Sequence, residues 1–358
     1  MAFPVRVGMT GQTLDTVLDP RYNSLNALRL FLALLVIVSH APLVAGLGTP
    51  VMVGDVQLGD WAVAGFFVIS GWLITGSRLH LDLVAFLWRR ALRIYPAFWV
   101  ALVVTALMFA PLAVMVGGGE YRPAQALGFV FRNATLNIGQ PSIPGTLQGA
   151  DYSTHWNLSL WTLRWEFLCY LGIAALLTLG WARSRRWVVL VAFLVVSVPY
   201  AYTVVQDLPA TLGFAQASRL GGSFLAGAVA YRYRDKIPAN AWMAMLAVLA
   251  LVALYLLEMV RGLGAVPLAY LTLWLGGVLP LQQLGRTNDV SYGVYIYAFP
   301  IQLLLAMVGV PDLGLVAYTL LCMVAVLPLA WASWLLVERP ALQFKAALPI
   351  RGRAHRRG

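Results

Sequence analysis

The sequence predicts an all-α polytopic integral membrane protein with about ten transmembrane helices and both termini in the cytoplasm. Three observations lead there. The chain is 61% hydrophobic and 11% charged over 358 residues, with a mean hydropathy of +0.78, whereas soluble domains carry about 25% charged residues. Apolar runs of spanning length follow one another from Leu25 to Val337. Lys and Arg alternate between the connecting loops in a strongly one-sided way.

Taken in order, the expected spans lie near residues 25–47, 61–77, 96–116, 157–180, 187–206, 210–231, 240–260, 265–284, 289–309 and 312–337. Residues 1–24 form a cytoplasmic N-terminal segment with no apolar h-region and no cleavage pattern, so the first span reads as an uncleaved signal anchor. Residues 25–340 form the transmembrane domain, and 341–358 a basic cytoplasmic tail. Of the 25 Lys and Arg, 19 fall on the side that holds both termini. Arg122, Arg132 and Arg261 lie opposite, and Arg29, Arg164 and Arg219 lie within spans. The even span count agrees with this orientation.

The net charge of +11 is therefore topogenic, and the Arg351 to Arg357 tail suits anionic lipid headgroups. The absence of a large soluble region argues against nucleic acid as a partner. The two cysteines, Cys169 and Cys322, lie in apolar stretches and suggest neither a disulfide framework nor a metal site. The longest connector, Gly117 to Trp156, is external. Its Ala124 to Leu136 stretch has apolar residues at helical spacing and suits a surface helix, a re-entrant segment or a lid.

Ionisable residues within spans mark candidate chemistry. Arg29 and His40 share the first span. Eleven residues at about 100° each bring them onto one helix face, roughly 16 Å apart along the axis. His40 then lies in the outer half, and Glu166 on the inward-running fourth span lies at a comparable depth. A carboxylate beside an imidazole fixes its tautomer and stabilises its cation, so His40 is the candidate general base and Glu166 its partner. A structural ion pair or a proton relay would use the same two residues.

Arg89 and Arg93 are one helical turn apart in the second cytoplasmic loop. Together with Arg90 they can converge on an anion, although positive-inside loading also explains them. Arg29, Arg164 and Arg219 against Glu166 leave a surplus of intramembrane positive charge that an anionic ligand would compensate. Trp161, Arg164, Gln216 and Arg219 are candidate acceptor-binding residues. Cys169, three residues after Glu166, reads as apolar filler rather than an acyl carrier.

Ordered along the chain, these residues resemble the membrane acyltransferase 3 family. The resemblance rests on Arg29-x10-His40, Gly65-Phe66-Phe67-Val68-Ile69-Ser70-Gly71, Arg89-Arg90-Ala91-Leu92-Arg93-Ile94-Tyr95-Pro96 and Ser159-Leu160-Trp161-Thr162-Leu163-Arg164-Trp165-Glu166. It continues in Ser291-Tyr292-Gly293-Val294-Tyr295-Ile296-Tyr297 and Glu338-Arg339-Pro340. It implies a ten-helix O-acyltransferase in a bacterial cytoplasmic membrane. The donor would be acyl-coenzyme A, commonly acetyl-coenzyme A, with no metal. The acceptor would be a sugar hydroxyl of a surface polysaccharide, a lipid-linked glycan or a glycosylated metabolite.

On that footing Arg29, Arg89, Arg90, Arg93 and Tyr95 are expected on the coenzyme. Many members carry His where this chain has Ala298, so that residue's family role is not transferred. The short tail leaves no room for an appended esterase-like domain, which implies direct transfer or a separate partner. Self-association is left open. The rival reading is a transporter or flippase for an anionic or polyisoprenoid-linked lipid.

Overall fold

A computed structural model describes residues 11–347. The stretch Arg351 to Arg357, expected to meet lipid headgroups, lies outside the described residues. Each of the ten expected spans contains a helix. The longer helices are α1 (Leu25–Val44), α2 (Leu58–His80), α3 (Leu83–Gly117), α4 (Pro123–Asn133), α5 (Trp161–Leu176) and α6 (Trp187–Val205). They continue with α7 (Leu212–Arg232), α8 (Ala241–Leu256), α9 (Ala265–Val278), α10 (Ser291–Met307) and α11 (Leu315–Ala346). Five of these, α1, α2, α3, α6 and α11, are long and apolar enough to cross a membrane. α8, α9 and α10 are shorter apolar helices, and α4 belongs to the connector between Gly117 and Trp156.

Local chemistry sets several helix starts. Asp82 caps α3 through its side chain, which accepts from the Ala85 N–H at 2.8 Å. Asn240 caps α8 by accepting from Met243 at 2.9 Å. The arginine-bearing loop expected between the second and third spans is helical instead. α3 begins at Leu83, and Pro96 lies inside it rather than at its start. Asp82 supplies the start signal, and a proline inside a membrane helix is tolerated where neighbouring groups satisfy the freed carbonyl.

α1 is central, packed among α2, α9, α10 and α11. Its start is pinned by Ser24, whose hydroxyl donates to the Leu279 carbonyl at 2.6 Å, and by Asn26, whose amide donates to Gly285 at 2.9 Å. α2 and α7 form the closest helix pair. Gly71 of α2 faces the Phe224 carbonyl and Gly227 of α7 faces the Val68 carbonyl, so a Cβ at either position would strike backbone. Small residues at this crossing let the backbones meet.

The connector between Gly117 and Trp156 does hold a helix, α4, near its expected place. Ala126 and Phe129 are buried, and the helix packs against α3. The indole of Trp99 on α3 donates to the Ala134 carbonyl at 2.9 Å. A short antiparallel hairpin, β1 (Met52–Val53) and β2 (Val56–Gln57), joins α1 to α2. Gly54 turns it at a φ of +68°.

Candidate active site

His40 lies one turn before the end of α1, half-buried against the first turn of α2. Gly59 makes the approach possible: a Cβ there would stand 3.0 Å from the Ser39 hydroxyl and 3.9 Å from Cε1 of the imidazole. On its other side the ring meets Phe299 of α10 edge-on, with centroids 5.5 Å apart. Nδ1 is buried without a well-formed hydrogen bond, and the Val36 carbonyl one turn earlier is the backbone acceptor it faces.

The imidazole borders a cavity of about 400 Å³. Three of the candidate acceptor-binding residues, Trp161, Gln216 and Arg219, line it. Gln216 and Arg219 lie about one turn apart on α7. Asp60 opens α2, and its carboxylate accepts from both terminal nitrogens of Arg219, at 2.7 and 2.9 Å. The hairpin contributes Met52, Asp55 and Gln57. The Asp55 carboxylate pairs with Arg261 at 2.8 Å, and a second Arg261 nitrogen donates to the Asp55 carbonyl. No residue of α4 borders this cavity.

A second ionic cluster gathers at the other end of α1. Arg29 and Arg93 both donate to one oxygen of Asp289 at 2.6 Å, and Arg93 also reaches Glu338 at 3.3 Å. Ser291 donates its hydroxyl to Asp289 at 2.5 Å. The Arg93 guanidinium lies over the Tyr292 ring, 5.7 Å from its centroid. Asp289 precedes α10 in a loop. Burial pushes its carboxyl up, but Arg29, Arg93 and the Ser291 bonds outweigh that and hold it below the usual carboxylate range. Motifs scattered along the sequence, in the first, third, tenth and last helices, thus meet at one point.

Arg89 and Arg90 make no ion pair among the described residues, and the Nε of each is buried without a hydrogen bond. Arg90 lies over Phe86, 5.9 Å from the ring centroid. Tyr95 stands beside this group, its ring packed against Trp99 and Phe167 at 5.2 and 5.4 Å.

The structure corrects three expectations. The His40 to Glu166 pair is not formed. The Glu166 carboxylate instead accepts from Ser70 at 2.9 Å and Tyr170 at 2.5 Å. It borders a separate cleft of about 30 Å³ with Arg29, Ser291 and Tyr292. Comparable depth on two helices does not fix their rotation, and α5 turns Glu166 towards this separate cleft. The surplus of intramembrane positive charge is also absent, because Asp289, the first residue of the expected ninth span, and Asp60, one position before the second, neutralise Arg29 and Arg219. Arg164 is exposed, bonds the Asn137 side chain at 2.9 Å and borders neither cavity. Cys169 borders neither as well.

Val63, Thr162 and Tyr295 line both cavities and so form the wall between them. The Thr162 and Tyr295 hydroxyls are 2.6 Å apart, and Tyr295 donates to the Ser159 carbonyl at 3.0 Å. Sequence reasoning missed Asp60, Asp289, Asp55 and Arg261. Asp60 has a signal, since it is an acid in the first turn of a helix, where the dipole favours it. Asp289 stands just before the Ser291-Tyr292-Gly293 motif.

An O-acetyl transferase of Shigella phage Sf6 is 29% identical over 330 residues, covering 88% of this chain and 95% of that protein. Nodulation protein 10 of Rhizobium leguminosarum bv. viciae is 28% identical over 361 residues, covering 92% of this chain and 95% of the other. No solved structure matches the chain. Residues 22–335 match the acyltransferase domain, and with these relatives the membrane helices and the motifs joined at both ends of α1 identify the chain as a member of the acyltransferase 3 family.

Proposed function

We propose that this acyltransferase carries an acyl group, acetyl in the simplest case, from cytoplasmic acyl-coenzyme A across a bacterial cell membrane to a hydroxyl on a sugar. The acceptor belongs to a surface polysaccharide, a lipid-linked glycan or a glycosylated metabolite. Ten helices span the bilayer with both termini in the cytoplasm. The O-acetyl transferase name of the phage relative supports acetyl as the group and oxygen as its destination.

One observation carries this reading: Arg29 and His40, on one face of α1, border different cavities towards opposite ends of the helix. Their separation of roughly 16 Å suits an extended pantetheine arm. Arg89 and Arg90, which make no ion pair among the described residues, hold the coenzyme phosphates by charge-assisted hydrogen bonds. Arg93 and Arg29, anchored on Asp289, form the inner edge of the donor path, and Tyr95 packs beside it. Glu166 lines the same path rather than contacting His40.

At the outer cavity the acceptor hydroxyl gives its proton to the His40 imidazole while its oxygen attacks the thioester carbonyl. The C–S bond breaks, and the imidazolium returns the proton to the departing coenzyme thiolate. Trp161, Gln216 and Arg219 hold the sugar. Orientation of both substrates in the cavity supplies the proximity term.

The test is acyl transfer by purified protein. His40→Ala lowers the rate by about 100-fold or more, the contribution of a positioned acid–base group. Near-normal transfer by that variant would remove His40 from the chemistry.

A further inference from the structure

We propose that Asp60, held in place by Arg219, is the positioning carboxylate of His40, the role for which the sequence suggests Glu166. The inference rests on the reading of His40 as the base.

The base turns cationic when it takes the acceptor proton, and a fixed negative charge beside it lowers the energy of that state. Glu166 does not supply this charge. It lies beyond the wall of Val63, Thr162 and Tyr295, with its carboxylate bonded to Ser70 and Tyr170. Two carboxylates border the cavity that holds His40, Asp55 and Asp60. Asp55 sits on the exposed hairpin, tied to Arg261.

Asp60 is next in sequence to Gly59, the residue whose missing side chain lets α2 press on Ser39 and on the imidazole. It borders the same cavity as the His40 ring. The bidentate bond to Arg219 fixes the carboxylate without removing it from the cavity.

The remaining charged and titratable groups around the ring do not compete for the role. Tyr200 and Tyr295 border the cavity without carrying a carboxylate, Tyr295 with its hydroxyl engaged by Thr162 and Ser159. On the α10 side the ring meets Phe299. Behind Phe299 stands Tyr152, which bonds His155 at 3.0 Å.

The pair also explains why an arginine sits on the acceptor side of a cavity that otherwise lacks free charge. Arg219 with Asp60, and Arg261 with Asp55, leave the lining neutral in the resting state. A proton arriving on His40 then adds a positive charge that Asp60 is placed to balance.

The experiment uses the purified full chain with acetyl-coenzyme A as donor and a crude glycolipid extract of the host cells as acceptor, following released coenzyme thiol. Asp60→Asn lowers kcat by about 100-fold and leaves KM for acetyl-coenzyme A unchanged. Asp60→Glu regains at least about a tenth of the native kcat, since it keeps the charge. The double variant Asp60→Arg with Arg219→Asp separates positioning from scaffolding. It keeps the bond between α2 and α7 and regains the native Tm; because Arg219 also holds the sugar, kcat is read at saturating acceptor, and it stays low because a cation now stands beside the imidazole.

Native kcat in Asp60→Asn, or recovery of kcat in the double variant, overturns the proposal. His40→Ala runs alongside. Activity surviving in His40→Ala fails the base reading itself, whereas loss there with a native Asp60→Asn fails the Asp60 proposal alone.

Discussion

Arg89 and Arg93 stand one turn apart on α3 and meet opposite surroundings. Arg93 binds two carboxylates, Asp289 and Glu338, with little solvent access, while Arg89 has no ion-pair partner among the described residues. Removing Arg93 leaves Glu338 buried without an ion pair and Asp289 with Arg29 alone, so Arg93→Ala lowers unfolding stability by about 3 kcal/mol. Arg89→Ala changes stability by no more than about 0.5 kcal/mol. It raises the Kd for coenzyme A about tenfold, because a hydrogen bond to a charged group contributes about 1.5–3 kcal/mol. Thermal unfolding in detergent and titration calorimetry with coenzyme A measure the two. A stable Arg93→Ala protein, or native affinity in Arg89→Ala, contradicts the assignment. Spacing alone made both arginines visible, but it could not tell them apart. The partners of Arg93 are 196 and 245 residues away in sequence, and only the tertiary fold brings them together.

The helices themselves were readable because apolar runs must bury backbone hydrogen bonds inside a bilayer, which leaves one secondary structure to adopt. Their ends were less so. Hydropathy starts the second span at residue 61, one position past Asp60, and thereby hides the acid that faces Arg219. The same helix carries Gly65 and Gly71, both of which suggest close approach, yet they meet different neighbours. A Cβ at Gly65 reaches the end of the flexible Leu32 side chain at 3.0 Å, whereas at Gly71 it strikes the Phe224 backbone. Gly71→Ala therefore forces α2 and α7 apart and costs about 1–3 kcal/mol, with Gly65→Ala below that range. Because α2 carries Asp60 and α7 carries Arg219, the Gly71→Ala protein also loses activity beyond what its Tm predicts. Unfolding curves for both variants, read with kcat, check this. Equal effects at the two glycines would show that the crossing does not set the spacing.

At the scale of the whole molecule, the chain separates a cavity with His40 from a cleft with Arg29 and Glu166 by a wall of three side chains. Charge asymmetry in the sequence predicts which end faces the cytoplasm, and hydropathy predicts ten crossings, but neither predicts the wall. Tyr295 and Thr162 come from α10 and α5, whose register depends on packing rather than on composition. If both termini are cytoplasmic, the wall divides an external compartment from an internal one, and reagents confined to one side must meet only that side's residues. In a chain with Cys169 and Cys322 replaced, Gln216→Cys is then labelled in intact cells by a membrane-impermeant maleimide. Arg89→Cys is labelled only after the membrane is opened. A wall that closes the path also keeps Ser291→Cys, in the inner cleft, unlabelled from outside, while adding Tyr295→Ala exposes it through the gap left by the ring. Labelling of Arg89→Cys in intact cells would reverse the orientation. Labelling of Ser291→Cys with Tyr295 present would mean that the two cavities are already one channel.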